Sequence, residues 1–321
     1  MSWQQELQNI FKTIPELLAY LEISQDHPSI FYDSSFPIKV PRSFANRMLK
    51  GNIDCPLLKQ VLPVQSELSE EGGVYDPLME DEFIEDRGIL QKFQHRLLVI
   101  ASGHCAIHCR YCFRRHFPYD EHRFSTKDWT ILFERLKADR SLNEVILSGG
   151  DPLTLPDNRL ETIIHQLNTI DHLEIIRIHS RLPIVIPSRL TSELQSIIRK
   201  SKIPVVIVFH INHPQELDAS LIKTLKDWQQ VGCVFFNQAV LLKGVNDTVT
   251  VQENLWRTCF KAGIQAYYLH QFDDVKNAQH FKVNKDQGLE IITELRKRLP
   301  GFMMPSYVQE IPFAGSKVPI V

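Results

Sequence analysis

Three cysteines, Cys105, Cys109 and Cys112, stand close together directly after the apolar run 97–100. Thiolates are the usual ligands of iron–sulfur clusters and also bind zinc. Three thiolates are one ligand fewer than a fully coordinated [4Fe–4S] cube takes from a protein. A cube held by these cysteines would leave one iron free to bind a small molecule and pass it an electron, and the spacing predicts this chemistry.

A structural zinc site is the alternative interpretation, with His104 or His108 as the fourth ligand. Structural zinc usually takes its ligands from two paired elements, and the sequence contains no second pair. The remaining cysteines, Cys55, Cys233 and Cys259, are isolated from one another. The spacing favours an iron–sulfur cluster, and clustered cysteines of this kind indicate a reducing compartment.

Other candidates are glycines and charged residues that follow further apolar runs. Ser-Gly-Gly-Asp at 148–151 lets the backbone approach a ligand closely, although alone it is a common turn. Arg114 follows the third cysteine, where a guanidinium can clamp a carboxylate. The charged group at 177–181 indicates either a bound anion or internal ion pairs. Lys317 is one of many lysines on composition alone, but a lysine in a suitable pocket binds pyridoxal phosphate (PLP).

From about residue 95 the chain alternates strand-like and helix-like segments. The predicted strands are 95–101, 144–147, 174–179, 204–211, 234–241 and 266–272. The predicted amphipathic helices are 125–139, 157–170, 191–201, 214–230, 248–262 and 285–299. Apolar strands that alternate with helices predict an α/β fold with a parallel sheet and right-handed crossovers. A partial six-unit barrel and an open doubly wound sheet both obey this pattern.

The candidate residues fall at the ends of the predicted strands. The cysteines follow the first strand and the glycine turn follows the second, while His210 ends the fourth, Gln238 lies in the fifth and Asp273 follows the sixth. The active sites of barrels collect at the carboxyl ends of the strands. We therefore expect a partial (β/α)6 barrel of the TIM type with one site at this end.

The predicted organisation is a mainly helical extension (1–94), the (β/α)6 core (95–300) and a C-terminal segment (301–321) that carries Lys317. The 321 residues, 43% of them hydrophobic, are ample for a large core. A net charge of −2 gives no sign of a nucleic-acid or membrane-surface binder. The N-terminus contains acids and does not resemble a signal peptide. A cytoplasmic protein that spans no membrane is expected.

Together these segments resemble the lysine 2,3-aminomutase family, which combines radical S-adenosylmethionine (SAM) chemistry with PLP. The segments that carry the resemblance are 75–78, 104–115, 147–153, 177–189, 237–247, 267–281 and 305–317. The short tail and the wording of 106–115 look most like the bacterial branch that modifies elongation factor P. That branch isomerises (S)-α-lysine to (R)-β-lysine, which a partner ligase attaches to the factor.

The resemblance implies roles for the residues that match the family's motifs. Cys105, Cys109 and Cys112 would hold the cluster. The implied SAM contacts are Ser148, Gly149, Gly150, Asp151, His210 and Gln238. The implied PLP contacts are Lys317 and Arg96. The implied contacts of the substrate lysine are Arg114 for its carboxylate, and Asp273 and Glu310 for its ε-ammonium.

The chain departs from the family pattern at several of these places. Residues 313–316 contain one glycine where the family has a glycine-rich run, and Glu310 replaces the usual aspartate. Lys92 and Phe93 stand where the family tends to have Arg and Tyr near the PLP phosphate. The larger clostridial-type enzymes have a zinc-binding C-terminal extension, which has no counterpart before the final residue, Val321.

The expected partners are a reductase for the cluster, an elongation factor P lysine ligase and a second copy of the chain. The substrate is either free lysine or a lysine of elongation factor P, and the sequence leaves this choice open. Two other classes of function also stay open. One is a radical SAM enzyme without PLP that acts on RNA or a peptide, and the other is a non-catalytic zinc module.

Overall fold

The computed structural model describes residues 2–69, 72–122 and 124–321. The strands in these ranges are β1 (Ile84–Asp86), β2 (Ile89–Phe93), β3 (Arg96–Ser102), β4 (Glu144–Gly149), β5 (Ile175–Ser180), β6 (Val205–His210), β7 (Val234–Val240), β8 (Ile264–His270), β9 (Ser306–Gln309) and β10 (Val318–Pro319). The α-helices are α1 (Trp3–Gln8), α2 (Ile14–Tyr20), α3 (Arg42–Ala45), α4 (Pro56–Lys59), α5 (Thr126–Ala138), α6 (Asp157–Leu167), α7 (Leu182–Val185), α8 (Ser192–Lys200), α9 (Ala219–Gln230), α10 (Val249–Lys261) and α11 (Lys285–Arg298).

All the strands belong to one sheet, in which they are hydrogen-bonded in chain order from β1 to β10. The pairs from β3 to β9 are parallel, and the pairs at both edges are antiparallel. In a doubly wound sheet the strand order reverses at one point, because later strands are added at the opposite edge. In this sheet each strand lies next to the one before it in the chain, without a reversal. The α/β prediction is confirmed, and the doubly wound alternative is wrong.

The sheet curls until its two edges approach each other. Lys92 Nζ of β2 lies 2.8 Å from Glu310 Oε1, just beyond β9. The rings of Phe83 and Phe313, which flank the same edges, have their centroids 4.9 Å apart. Across this seam the described residues show side-chain contacts and no ladder of backbone hydrogen bonds between β1 and β10. The carboxyl ends of the parallel strands therefore surround a common space.

Helix caps and apolar spacing explain where the elements begin and how they pack. The Ser125 hydroxyl accepts a hydrogen bond from the Asp128 backbone N–H at the start of α5, a reciprocal cap that the sequence signals. Leu132 of α5 and Leu160 of α6 are fully buried in the same core as Val145 of β4. Right-handed crossovers in this strand order place the long helices on one face of the sheet, which leaves the other face for the site.

The two flanks contribute strands that the sequence did not predict. The segment 1–94 has short helices separated by irregular chain, and the hairpin β1–β2 extends the sheet. The segment 301–321 adds β9, parallel to β8, and β10. Among the described residues, none of the helices combines the length and apolar character that crossing a membrane requires.

Candidate active site

A cavity of about 590 Å³ lies along the inner face of the curled sheet, from the start of β3 to the loops at the carboxyl ends of the parallel strands. Its lining includes every residue that the sequence analysis proposed for the site. They are Arg96, Cys105, Cys109, Cys112, Arg114, Ser148, Gly149, Gly150, Asp151, His210, Gln238, Asp273, Glu310 and Lys317. Residues more than 200 positions apart in the sequence thus face one space, as expected for a curled parallel sheet.

The three cysteines lie on the long loop between β3 and α5, and their thiols are free and half-buried. Arg110, within this loop, is completely buried and anchors it to the N-terminal extension. Its Nε donates to Glu67 Oε1 at 2.8 Å, and its Nη1 donates to the Phe36 carbonyl at 2.6 Å. The N-terminal extension therefore stabilises the conformation of the cysteine loop.

Burial and mutual proximity keep the Cys105 and Cys112 thiols protonated until a metal binds them. Burial, with the neighbouring thiols, raises the pKa of Cys105 well above its usual value and the pKa of Cys112 to about 12. Such thiols become thiolates when a metal replaces the proton. In the described residues no three His, Cys, Asp or Glu side chains converge on a single-ion site. A cube has no need of such convergence, since it spreads its ligands over three irons.

The paired glycines allow β4 to pack against the start of the cysteine loop. Gly149 has a φ of +115°, and a Cβ there would lie 2.4 Å from the Ser102 carbonyl oxygen. A Cβ on Gly150 would lie 2.6 Å from the His104 carbonyl oxygen. The Gly150 N–H donates to the Ser102 carbonyl oxygen at 2.7 Å, and the Asp151 N–H donates to the His104 carbonyl oxygen at 2.8 Å. The close approach predicted for a ligand is, in this structure, an approach of backbone to backbone.

Asp151 joins the glycine turn to the next strand-to-helix loop. Its Oδ2 accepts hydrogen bonds from the backbone N–H groups of Arg181 and Leu182, both at 2.8 Å. Its Oδ1 accepts from the Ser180 hydroxyl at 2.8 Å and from the Leu153 N–H at 3.0 Å. The carboxylate is thus occupied by the protein, and it positions the two loops that line this side of the cavity.

His210 and Gln238 lie on neighbouring strands, β6 and β7, at the cavity wall. His210 Nε2 is 2.9 Å from the Tyr111 hydroxyl. Burial and the positive charge of Arg181 lower the pKa of His210 to about 3, so the imidazole is neutral at physiological pH. Gln238 Nε2 lies 3.4 Å from His179 Nδ1. Both side chains offer neutral polar groups to a ligand.

Ion pairs of alternating sign cross the cavity from Arg114 to Lys317, and we call them the charge chain. Arg114 binds both carboxylate oxygens of Glu80, with Nε 2.5 Å from Oε2 and Nη2 2.8 Å from Oε1. Lys92 Nζ lies 2.7 Å from Glu80 and 2.8 Å from Glu310. Glu310 also pairs with Lys317. The three proposed substrate and PLP residues at the ends of this chain are therefore linked through Glu80 and Lys92.

The acids near the charge chain differ in their ionisation. Burial opposes ionisation of Glu80, but Arg114 and Lys92 outweigh it and lower its pKa to about 2. Lys317 and Lys92 likewise hold the pKa of Glu310 below its usual value, against the effect of burial. Burial and the neighbouring Glu310 raise the pKa of Asp273 to about 7. At neutral pH Glu80 and Glu310 are therefore ionised, whereas Asp273 changes its ionisation near this pH.

Glu80 was not among the predicted site residues, and it lies 34 positions from Arg114 in the sequence. The sequence around it, Met-Glu-Asp-Glu at 79–82, is a short acidic stretch of the kind that usually faces solvent. Lys92 appeared in the sequence only as a departure from the family pattern. A lysine beside a predicted strand gave no sign that it pairs with two acids at once.

A second group of charges is formed by the first residues of β3 and β4 and by Arg177 of β5. Arg96 Nε is 3.3 Å from Glu144 Oε2, and Arg177 Nε is 2.8 Å from Glu144 Oε1. Two guanidinium groups thus share one carboxylate, which leaves a net positive charge. Among the described residues, Arg96 Nε is also buried without a well-aligned hydrogen-bond acceptor, because its contact with Glu144 is an ion pair and not a hydrogen bond. An unsatisfied donor beside excess positive charge fits a phosphate, such as that of PLP.

The turn that carries Lys317 is strained where the glycine-rich run is missing. Phe313 has a φ of 65°, in the left-handed region that residues other than glycine rarely adopt, and Gly315 has a φ of 70°. The Lys317 side chain is 19% exposed, and its ammonium lies 5.9 Å from the centre of the Tyr268 ring. The turn therefore directs the lysine into the cavity even with a single glycine.

Comparison with known proteins assigns the family. The model of the Radical SAM superfamily matches residues 99–248, which include the cysteine loop and the glycine turn. L-lysine 2,3-aminomutase of Escherichia coli (strain K12) is 39% identical over 99% of this chain and 94% of its own length. The chain belongs to the lysine 2,3-aminomutase family. The L-lysine 2,3-aminomutase of Haemophilus influenzae is 38% identical over 97% of this chain and 93% of its own.

Solved structures give a weaker likeness. A crystal structure of Streptococcus suis SuiB bound to the precursor peptide SuiA has 18% sequence identity and a TM-score of 0.49, and the match covers 70% of this chain and 50% of SuiB. The family assignment itself confirms three predictions: the protein is an enzyme, it is an isomerase of the aminomutase type, and it belongs to the radical SAM enzymes. That family implies a [4Fe–4S] cluster and SAM. The zinc-module alternative is therefore wrong.

Proposed function

We propose that this aminomutase uses PLP to convert (S)-α-lysine to (R)-β-lysine in the cytoplasm. A reductase supplies the electron for the cluster, and a partner ligase attaches the product to elongation factor P. The observation that supports this proposal is the charge chain, which begins at Arg114 near the cysteines and ends at Lys317. It offers a cation at one end, and acids and a lysine at the other, within one cavity.

In this proposal each group has its own residues. The cluster takes Cys105, Cys109 and Cys112, and SAM contacts Ser148, Gly149, Gly150, Asp151, His210 and Gln238. PLP takes Lys317 and Arg96. When bound, the reduced cluster and SAM supply a carbon radical for hydrogen abstraction, and PLP supplies a π-system that stabilises an unpaired electron while the amino group migrates.

The protein's own part is to hold lysine in one orientation. Arg114 is oriented by Glu80 and by a hydrogen bond from Nη1 to Ser148 Oγ at 3.1 Å, so its position is fixed before a carboxylate arrives. Asp273 and Glu310 receive the ε-ammonium at the far end. Fixed contacts at both ends of the substrate align Cβ–H for abstraction, and such positioning is a major source of rate acceleration.

The same arrangement provides selectivity for lysine. Asp273 has a pKa of about 7, so an incoming ammonium favours its carboxylate form and gains a new ion pair. A shorter or neutral amino acid would gain no ion pair with Asp273, which would then stay partly protonated. Glu310 already pairs with Lys92 and Lys317, so the ε-ammonium shares it with protein lysines.

The direct test is an assay without oxygen. The purified protein is reconstituted with iron and sulfide, supplied with SAM, PLP, dithionite and L-lysine, and analysed by chiral mass spectrometry for (R)-β-lysine. We expect β-lysine and no net consumption of SAM. Formation of 5′-deoxyadenosine without any β-lysine would refute the assignment of the substrate. A parallel reaction with elongation factor P instead of free lysine distinguishes free from protein-bound substrate.

A lysine variant tests the dependence on PLP. Lys317→Ala should lose the visible absorbance of bound PLP and the isomerase activity, while its iron content stays at the wild-type level. The matched control is Lys282→Ala, since Lys282 is about half exposed and pairs with Asp274 outside the cavity lining. Full PLP binding by Lys317→Ala would contradict the role of this lysine, and loss in the control would point to a general effect on folding.

A further inference from the structure

A buried arginine that the proposed function does not use lies against one cluster cysteine. Arg181 follows β5 directly and caps α7, and only 6% of its side chain is exposed. Its Nη1 donates to Cys109 Sγ at 2.7 Å. A guanidinium is always charged and keeps its donors in a rigid plane. This contact therefore presents a fixed positive charge and an N–H group to a sulfur that ligates iron.

Groups from three separate segments fix the position of this guanidinium. Nη1 also donates to the Tyr111 hydroxyl at 2.6 Å, within the cysteine loop. Nη2 donates to Gln60 Oε1 at 2.7 Å, just after α4 in the N-terminal extension. Nη2 further donates to Glu216 Oε2 at 2.9 Å, between β6 and α9. The side chain has no freedom to turn away from Cys109, because each turn would break several buried hydrogen bonds.

Glu216 is the buried counter-charge of Arg181. It has no exposed surface, and its Oε1 accepts hydrogen bonds from the backbone N–H groups of Asn212 at 2.9 Å and His213 at 3.1 Å. Arg181 and these hydrogen bonds hold the pKa of Glu216 below its usual value, against the effect of burial. The network therefore places one cation next to the cluster cysteine and one anion behind that cation.

We propose that Arg181 is a positioning residue that sets the reduction potential of the cluster through Cys109, and that Glu216 moderates its effect. Reduction adds one electron from an external donor and therefore one negative charge to the cluster, and no bond breaks. A nearby cation and an N–H···S hydrogen bond both stabilise the reduced form. The proposal rests on the cluster that the family implies and does not depend on PLP or on lysine as the substrate.

The charges predict potential shifts of opposite sign for two variants. Arg181→Met removes the cation and the hydrogen bond, so we expect reduction to become about tenfold less favourable, which is about 59 mV for one electron. Glu216→Gln removes the opposing anion and keeps the arginine, so we expect the potential to rise. The reconstituted cluster is titrated with dithionite at controlled potentials without SAM. The amount of reduced cluster at each potential is measured by electron paramagnetic resonance.

The matched control is Arg189→Met. Arg189 is also completely buried and follows the same short helix, but it donates to the Leu153 carbonyl at 2.7 Å and pairs with Asp157 at 2.8 Å. These contacts do not include a cluster cysteine, so Arg189→Met should lower the stability of the fold and leave the reduction potential of the cluster unchanged. An equal shift in Arg181→Met and Arg189→Met would overturn the proposal.

Arg181→Lys and Glu216→Gln test the proposal even if Arg181→Met takes up little iron. Arg181→Lys retains the charge, and we expect full iron content with a potential between those of the wild type and Arg181→Met. Glu216→Gln retains the contact with Cys109, so a potential that stays constant or falls in this variant refutes the role of the charges. Iron content is measured for each variant, because a purely structural role would change the content and not the potential.

Discussion

The carboxylate of Glu80 offers a quantitative test of the charge chain. It lies between Arg114 and Lys92, with 1% of its side chain exposed, and its pKa falls from 4.5 to about 2. Each pKa unit corresponds to about 1.4 kcal/mol, so this difference of roughly 2.5 units contributes roughly 3–4 kcal/mol to folding at neutral pH. Because removal of the carboxylate also leaves two buried cations unpaired, Glu80→Gln should cost roughly 3–5 kcal/mol.

The pH dependence has a definite sign. A carboxyl whose pKa is lower in the native state stabilises that state above pH 4.5, the unfolded value. The stabilisation is lost as the pH falls from about 4.5 to about 2. The deficit of Glu80→Gln relative to the wild type should therefore shrink by roughly half between pH 7 and pH 3.

The assay is urea unfolding of the protein without cofactors, at both pH values, followed by tryptophan fluorescence. The matched control is Glu85→Gln, because Glu85 lies nearby on β1, is 45% exposed and pairs with Arg135 at the surface. Such surface pairs contribute about 0–1 kcal/mol. The reasoning fails if Glu80→Gln is no less stable than Glu85→Gln at pH 7, or if its deficit is the same at both pH values.

Two further predictions concern the glycine turn and the titrating acid. Gly150→Ala should lower the free energy of unfolding by roughly 1–3 kcal/mol and reduce iron uptake, because the new Cβ would lie 2.6 Å from the His104 carbonyl oxygen. The control is Gly301→Ala, because no atom lies within 4 Å of a Cβ at that position. Equal iron content in the two variants would contradict this prediction. The KM for lysine should fall as the pH rises through about 7, because Asp273 ionises in this range. If Asp273→Asn has the same pH profile of KM as the wild type, the role of Asp273 in binding the ammonium is refuted.

The sequence predicted the central β-α units well because their signals are local. The core strands are short runs rich in apolar residues, and the long helices have an amphipathic pattern. Ser125 marks the start of α5 through its own side chain and that of Asp128. The cysteines and the paired glycines carry their chemistry in residue type and spacing, so a shared site could be inferred from their positions after the predicted strands.

The features that the sequence did not predict depend on distant contacts. β1 has three residues and β10 has two, too few for a periodic pattern, and both form by pairing with a neighbouring strand. Lys92 and Glu310 are 218 positions apart, and Gln60 and Arg181 are 121 positions apart. Their side chains acquire a function through the fold that brings them together, and no short window of sequence contains that information.

The seam between the two edges of the sheet has a consequence for the strength of the cavity wall. Interior strands can separate only if their backbone hydrogen bonds break along their length. At the seam, Lys92 and Glu310 and the Phe83 and Phe313 rings are the contacts that must give way. The wall of the cavity is therefore held together more weakly at the seam than between the interior strands, and Lys92 and Glu310 of the charge chain belong to the contacts that hold it there.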